Sequence, residues 1–184
     1  KRKIIPLTMT NLEKYVNMIR GKLPQLGFNT LEDQQIAGQD LILSASSSKN
    51  MKSLIGLPTL MNVQIYIYSI FRPNLSLIDY TNFTEHCFQY FQNTVPRQSL
   101  LGRMFAPKPC AIVPLIFSEE IEEAVLAAAS MEPKTKWGHG IVLPYVIDVN
   151  TKNIYTLPNT PFFGRLIYKP TQEAMNWLLF PPPE

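Results

Sequence analysis

The run Val63-Gln64-Ile65-Tyr66-Ile67-Tyr68-Ser69-Ile70-Phe71 decides how this chain reads. β-Branched and aromatic residues alternate along it with the period of a pleated strand, and Pro73 is the expected stop. Cys110 to Phe117, CAIVPLIF, is a second and wholly apolar strand. Between the two, Asp79 or Thr81 can cap a helix that sets Phe83, Cys87, Tyr90 and Phe91 on one face and stops before Pro96.

Working outward toward the amino end, Leu41 to Ser46 (LILSAS) reads as a short strand and Ser46 to Asn50 as a turn. Gln25 to Asn29 can start another strand. Thr10 with Glu13 forms a capping box, after which Leu12, Tyr15, Val16, Ile19 and Leu23 recur at helical spacing until Gly21 and Pro24 close the element. Toward the carboxyl end, Ser118 is expected to cap a helix whose first turn holds Glu119, Glu120, Glu122 and Glu123, complementing the helix dipole. Leu143 to Val149 and Asn153 to Leu157 flank Asn150-Thr151-Lys152 in the pattern of a hairpin. Arg165 to Tyr168 reads as a further strand, and Thr171 as the cap of a short last helix with Met175, Leu178 and Leu179 inward. The sum is a single globular α+β domain over residues 1–184, with a central mixed sheet and helices packed on it.

Composition narrows the class. The chain has 184 residues, 46% hydrophobic and 17% charged, with 17 Lys and Arg against 14 Asp and Glu. Disorder, collagen and coiled coil are excluded by this balance. No apolar run nears the roughly 20 residues that span a bilayer, and Pro6, Thr8, Thr10 and Asn11 interrupt any signal-peptide core after Lys1-Arg2-Lys3. The expectation is a cytoplasmic protein with no membrane contact. Twelve of the 16 prolines lie from Pro96 onward, so the second half should hold more loops and edge strands.

Charge is distributed unevenly. No acid occurs from Leu41 to Ile78 or from His86 to Ser118, whereas Lys49, Lys52, Arg72, Arg97, Arg103 and Lys108 do. Brought together, these two stretches make a basic face.

Motifs for chemistry are sparse. Cys87 and Cys110 read as small buried hydrophobes, and the two cysteines and two histidines lack the spacing of a zinc site. No P-loop or dinucleotide fingerprint is present, and Gly138-His139-Gly140 precedes a strand rather than a helix. No cofactor or metal is expected. His86 and Cys87 are helical neighbours and point apart. A triad of Cys110, His139 and Asp148 is conceivable in three dimensions, but nothing selects it.

The order helix, three strands, helix, strand resembles the core of the PD-(D/E)XK nucleases. That resemblance implies an acid on the second strand and a Glu-x-Lys pair on the third, converging on a metal. Asp40 sits where the first acid would be, and Val63 to Phe71 has neither acid nor lysine. The resemblance therefore implies a degenerate site.

The most distinctive segment is Pro133-Lys134-Thr135-Lys136-Trp137-Gly138-His139-Gly140, followed after the hairpin by Thr160-Pro161-Phe162-Phe163-Gly164. Trp137, His139, Phe162 and Phe163 are the candidate binding residues, because aromatic, glycine-punctuated loops suit recognition. Pro96-Arg97, the strand from Cys110 to Ile116, Pro133-Lys134, Trp137, Leu143 to Val149, Tyr155, Thr160-Pro161 and Gly164 together resemble an uncharacterised bacterial domain family, seen in cyanobacteria, of no assigned function. The likeness spans roughly the second half, with one extra residue between Lys134 and Trp137. It implies no activity and no functional residue.

The expected function is a non-enzymatic, cytoplasmic binding or protein-interaction domain, with a protein partner or self-association. The alternative is a degenerate nuclease-like fold that binds nucleic acid or another polyanion through Lys49, Lys52, Arg97, Arg103 and Lys108.

Overall fold

The computed structural model describes residues 10–31, 34–47, 63–94, 109–131, 140–159 and 165–181. In chain order these form α1 (Asn11–Lys22), a 3-10 turn (Leu23–Leu26), β1 (Phe28–Leu31), β2 (Gln35–Ile36), β3 (Gln39–Asp40), β4 (Leu43–Ser47), β5 (Gln64–Leu75) and α2 (Leu77–Thr94). Then come β6 (Cys110–Ile121), α3 (Glu123–Ala129), β7 (Gly140–Val142), β8 (Tyr145–Asp148), β9 (Ile154–Tyr155) and α4 (Arg165–Leu179). The fold is α+β: one seven-stranded mixed sheet in the order β1-β4-β5-β6-β8-β9, with β7 beside β6, and helices packed on it. β1, β4 and β5 pair antiparallel, β5, β6 and β8 parallel, and β9 closes the far edge antiparallel to β8.

Strand alternation divides the core into two layers. Ile65, Ile67, Val113, Leu115, Phe117 and Ile147 face α1 and α4, where Tyr15, Ile19, Met175 and Leu178 cover them. Tyr66, Tyr68, Ile70, Ile112, Ile116 and Val146 face α2 and α3, meeting Tyr80, Phe83, Cys87, Phe91 and Val125. Both faces of the central strands are therefore dry, which explains their near-continuous apolar sequence.

The two helices of the first face are tied to each other. Lys22 Nζ donates to the carbonyl oxygens of Trp177, Leu178 and Phe180 at 3.2, 3.4 and 2.8 Å. It also stands 5.7 Å from the Trp177 ring centroid. A cation thus caps the negative end of α4.

Proline placement follows the ladder. In β5 the even-numbered N–H groups face β6, as Gln64 N to Pro109 O at 2.9 Å shows, and the odd ones face β4, as Ile65 N to Ser47 Oγ at 2.8 Å shows. The missing N–H of Pro73 falls on the β4 side, beyond the last β4 pair, Leu43 with Ser69. No bond is lost, so β5 runs on to Leu75 rather than stopping at Pro73. In β6 the even-numbered positions face β7 and β8, since Ile112 O accepts from Leu143 N at 2.8 Å and Ser118 O from Val149 N at 2.9 Å. Pro114 therefore leaves its gap where β7 gives way to β8, and the two strands keep one register along β6.

Several sequence expectations hold and others are corrected. The Thr10–Glu13 capping box is present in both directions. The strand expected from Gln25 begins only at Phe28, because Leu23–Leu26 winds as a 3-10 turn that ends on Gly27 at φ 76°. Ser118 caps no helix. β6 continues to Ile121 because Asn74 and Leu75 pair with Glu120 and Ile121, so α3 starts at Glu123 and only that glutamate lies in its first turn. Arg165 to Tyr168 is the start of α4, not a strand, and Thr171 lies inside that helix with Oγ1 donating to Ile167 O at 2.7 Å. Pro170 is accommodated within the same helix.

Candidate functional site

Ligands of sheets with parallel strands usually gather beyond the carboxyl ends of those strands. Here that edge is lined by Arg72, Asn74, Glu119, Glu120, Glu122 and Asp148, rich enough in charge to suggest chemistry. Its hydrogen bonds turn inward instead. Ser76 caps α2: Asp79 N donates to Ser76 Oγ at 3.1 Å and Ser76 Oγ donates to Asp79 Oδ2 at 2.6 Å. Leu77 N donates to Glu122 Oε2 at 2.7 Å, so a carboxylate already occupies the positive end of that helix. Ser118, fully buried, donates to Glu120 O at 2.6 Å. Asp148 Oδ1 accepts from Asn150 N and Thr151 N at 2.8 and 2.9 Å, closing the turn into β9. Asn150 Nδ2 donates to Glu119 O at 3.2 Å.

The positions that a nuclease core would use for its acids carry none. β4 reads Leu43, Ser44, Ala45, Ser46, Ser47, and it faces Tyr66, Ile67, Tyr68 and Ser69 of β5. Asp40 is not aimed at them. It belongs to the separate β2–β3 hairpin, is exposed, and its Oδ1 accepts from Gln35 Nε2 at 2.6 Å. Among the described residues no three of His, Cys, Asp and Glu gather as a metal site.

Cys110 and Asp148 lie at opposite ends of the sheet, since Cys110 opens β6 and Asp148 pairs with Ser118. At about 3.3 Å per strand residue they are roughly 26 Å apart, so a triad of Cys110, His139 and Asp148 cannot assemble. Both thiols are free and buried, as the sequence suggested. Burial pushes Cys110 up to about 11 and Cys87 well above the usual thiol value. Neither is a thiolate at neutral pH.

The amino edge of the parallel strands is different. Trp137, His139, Phe162, Phe163, Lys49, Lys52, Arg97, Arg103 and Lys108 all lie outside the described residues. The residues that bound most of their segments are described, and they stand abreast. Gln64 pairs with Cys110, and Cys110 with Gly140. Segment 48–62 therefore rejoins the fold one strand from segment 95–108, and segment 132–139 one strand further. Ser47, where the first segment leaves, accepts from Ile65 N through its side chain. The third segment adds Lys134 and Lys136, so the three together hold seven Lys and Arg against the single acid Glu132. Beside this edge, Tyr66 packs edge-on against Phe91 at 4.9 Å, and burial, with Cys110 nearby, pushes its phenol up to about 12.

Sequence reasoning missed the β2–β3 hairpin, whose turn places Ala37 at φ 51° and Gly38 at φ 75°. Ala-Gly is a weaker sign of such a turn than Asn-Gly. It also missed the α2 cap, although Ser76-Leu77-Ile78-Asp79 has the spacing of a capping box. Among the described residues no helix is long and apolar enough to cross a membrane. The chain matches no family model, and no curated protein or solved structure matches it.

Proposed function

We propose that the chain is a non-enzymatic binding domain of the cytoplasm, meeting a protein partner or a second copy at the amino edge of its parallel strands. The observation that carries this reading is the register Gln64–Cys110–Gly140, which sets side by side the described residues that follow the segments bearing Trp137, His139 and all five basic candidates. The carboxyl edge supports it from the other side, because its Glu122 and Asp148 carboxylates are engaged with backbone N–H groups of the chain itself. Light scattering across a concentration series reads self-association, and acrylamide quenching of a Trp177→Phe variant reads the exposure of Trp137. A chain that stays monomeric with a shielded indole overturns the reading.

A second reading, nucleic acid or another polyanion on the same edge, is favoured by the seven-to-one excess of basic residues in the three segments. The helix, three strands, helix, strand order of α1, β1, β4, β5, α2 and β6 is also that of the nuclease core. Binding through phosphates weakens steeply with salt. No retention of single- or double-stranded DNA in a filter assay at about 50 mM salt removes this reading.

A further inference from the structure

The β2–β3 hairpin stands outside the seven-stranded sheet and is laid over the α2 face. Ile36, 1% exposed, and the partly buried Leu41 seat it there, and Tyr90 Oη donates to Gln34 Oε1 at 2.6 Å. The seam beneath it is poorly satisfied. Gln39 Oε1, Ser44 Oγ and His86 Nδ1 are buried with no hydrogen-bond partner.

Strand register and helical spacing set all three on the side that the hairpin covers. Gln39 is directly opposite Ile36, and opposed residues of an antiparallel pair share a face, so Gln39 is turned inward with it. Ser44 is opposite Tyr68, whose ring meets that of Tyr90 edge-on at 5.5 Å. His86 lies one turn before Tyr90 on the flank of α2 that carries the bond to Gln34. A closed hairpin thus keeps three polar atoms from water without replacing their bonds, and that penalty works against the burial of Ile36 and Leu41.

We infer that the β2–β3 hairpin is a displaceable lid: it lifts as a unit, hydrating Gln39, Ser44 and His86 and uncovering Tyr68 and Tyr90, while the main sheet stays folded. The amides to compare are Leu41 N, which closes the hairpin on Gln34 O at 3.0 Å, and Leu143 N, bonded to Ile112 O at 2.8 Å in the sheet.

Hydrogen exchange of the full chain at low urea tests the lid. Leu41 N–H should exchange at least ~100-fold faster than Leu143 N–H and respond far less to urea, as local rather than global opening requires. Ser44→Ala and His86→Leu each remove one unsatisfied atom from the closed state. Each should slow exchange at Leu41 by about threefold or more, leaving Leu143 unmoved except through global stability. Equal urea dependence at the two amides overturns the lid. So does unchanged or faster exchange at Leu41 in both variants, which would mean that the unsatisfied atoms do not drive the opening.

Discussion

The two edges of the parallel strands share β5 and β6, with β7 completing the amino edge and β8 the carboxyl edge, and they differ in how they meet the rest of the chain. At the carboxyl edge Glu122, Asp148, Ser76 and Asn150 each hold a named backbone or capping partner. At the amino edge Gln64, Cys110 and Gly140 stand in line where three segments rejoin the fold, and those segments are basic and carry Trp137. Charge density alone would have chosen the first edge as the site. Once hydrogen bonds are assigned, the second is the better candidate, because a carboxylate that already closes a turn or caps a helix has little left for a ligand.

The sharpest way to break this contrast is to neutralise the amino edge. In the polyanion reading, replacing Lys49, Lys52, Arg97, Arg103 and Lys108 with alanine should lower affinity for a DNA probe by about 100-fold or more at low salt and flatten the salt slope. Urea midpoints should show stability within about 0.5 kcal/mol of wild type for each single replacement. A salt slope equal to that of wild type would remove those residues from the contact.

Next in size is the chemistry of Cys110. A thiol held near 11 rather than 9 presents about 100-fold less thiolate at pH 8, so alkylation in the native state should be slower than in urea by at least that factor. The same shift sets a direction for stability. Folding holds the proton on Cys110 and on Tyr66, so their contributions are complete below the unfolded values near 9 and 10. They are lost as pH rises through about 11 and 12. Stability measured from pH 8 to 11 should therefore decline, and less so in Cys110→Ala.

Smaller effects belong to the carboxyl edge. Asp148→Ala leaves the N–H groups of Asn150 and Thr151 without their acceptor and should cost about 1 to 3 kcal/mol by chemical denaturation. Glu122→Gln keeps an acceptor for Leu77 N and loses only charge against the α2 dipole, a cost of about 0.3 to 1 kcal/mol. Neither change should alter binding at the amino edge. Weakened binding in Asp148→Ala at unchanged fold would show that the sealed edge takes part after all.

The sheet was largely legible in the sequence and its decorations were not. Val63 to Phe71 and Cys110 to Phe117 announce two strands by composition, and their burial on both faces confirms why no polar alternation appears in Cys110 to Phe117. Their true ends were hidden, because β5 passes Pro73 and β6 passes Ser118 only through pairing with each other. Helical signals at Ser118 and its glutamates were outweighed by that pairing. Arg165 to Tyr168 misled for the opposite reason, since the burial of Tyr168 with Ala174, Met175 and Leu178 extends α4 back across Pro170. Asp40 was placed by counting strands, and the intervening hairpin turned it away. For the candidate binding edge, the basic stretches were visible as composition. That their ends lie abreast is a matter of parallel register, which no local signal encodes.

Lys22 joins α1 to α4, and this imposes an order on folding during synthesis. A nascent chain displays Ile65, Ile67, Val113 and Leu115 well before α4 leaves the ribosome, whereas α2 and α3 emerge between the strands they cover. The α2 layer can close while translation continues, but the other layer waits for residues 165 to 180 and for the carbonyls that Lys22 grips. A ribosome stalled before α4 would carry a sheet whose first face has α1 alone to cover it, with the places of Ala174, Met175, Leu178 and Leu179 open to solvent.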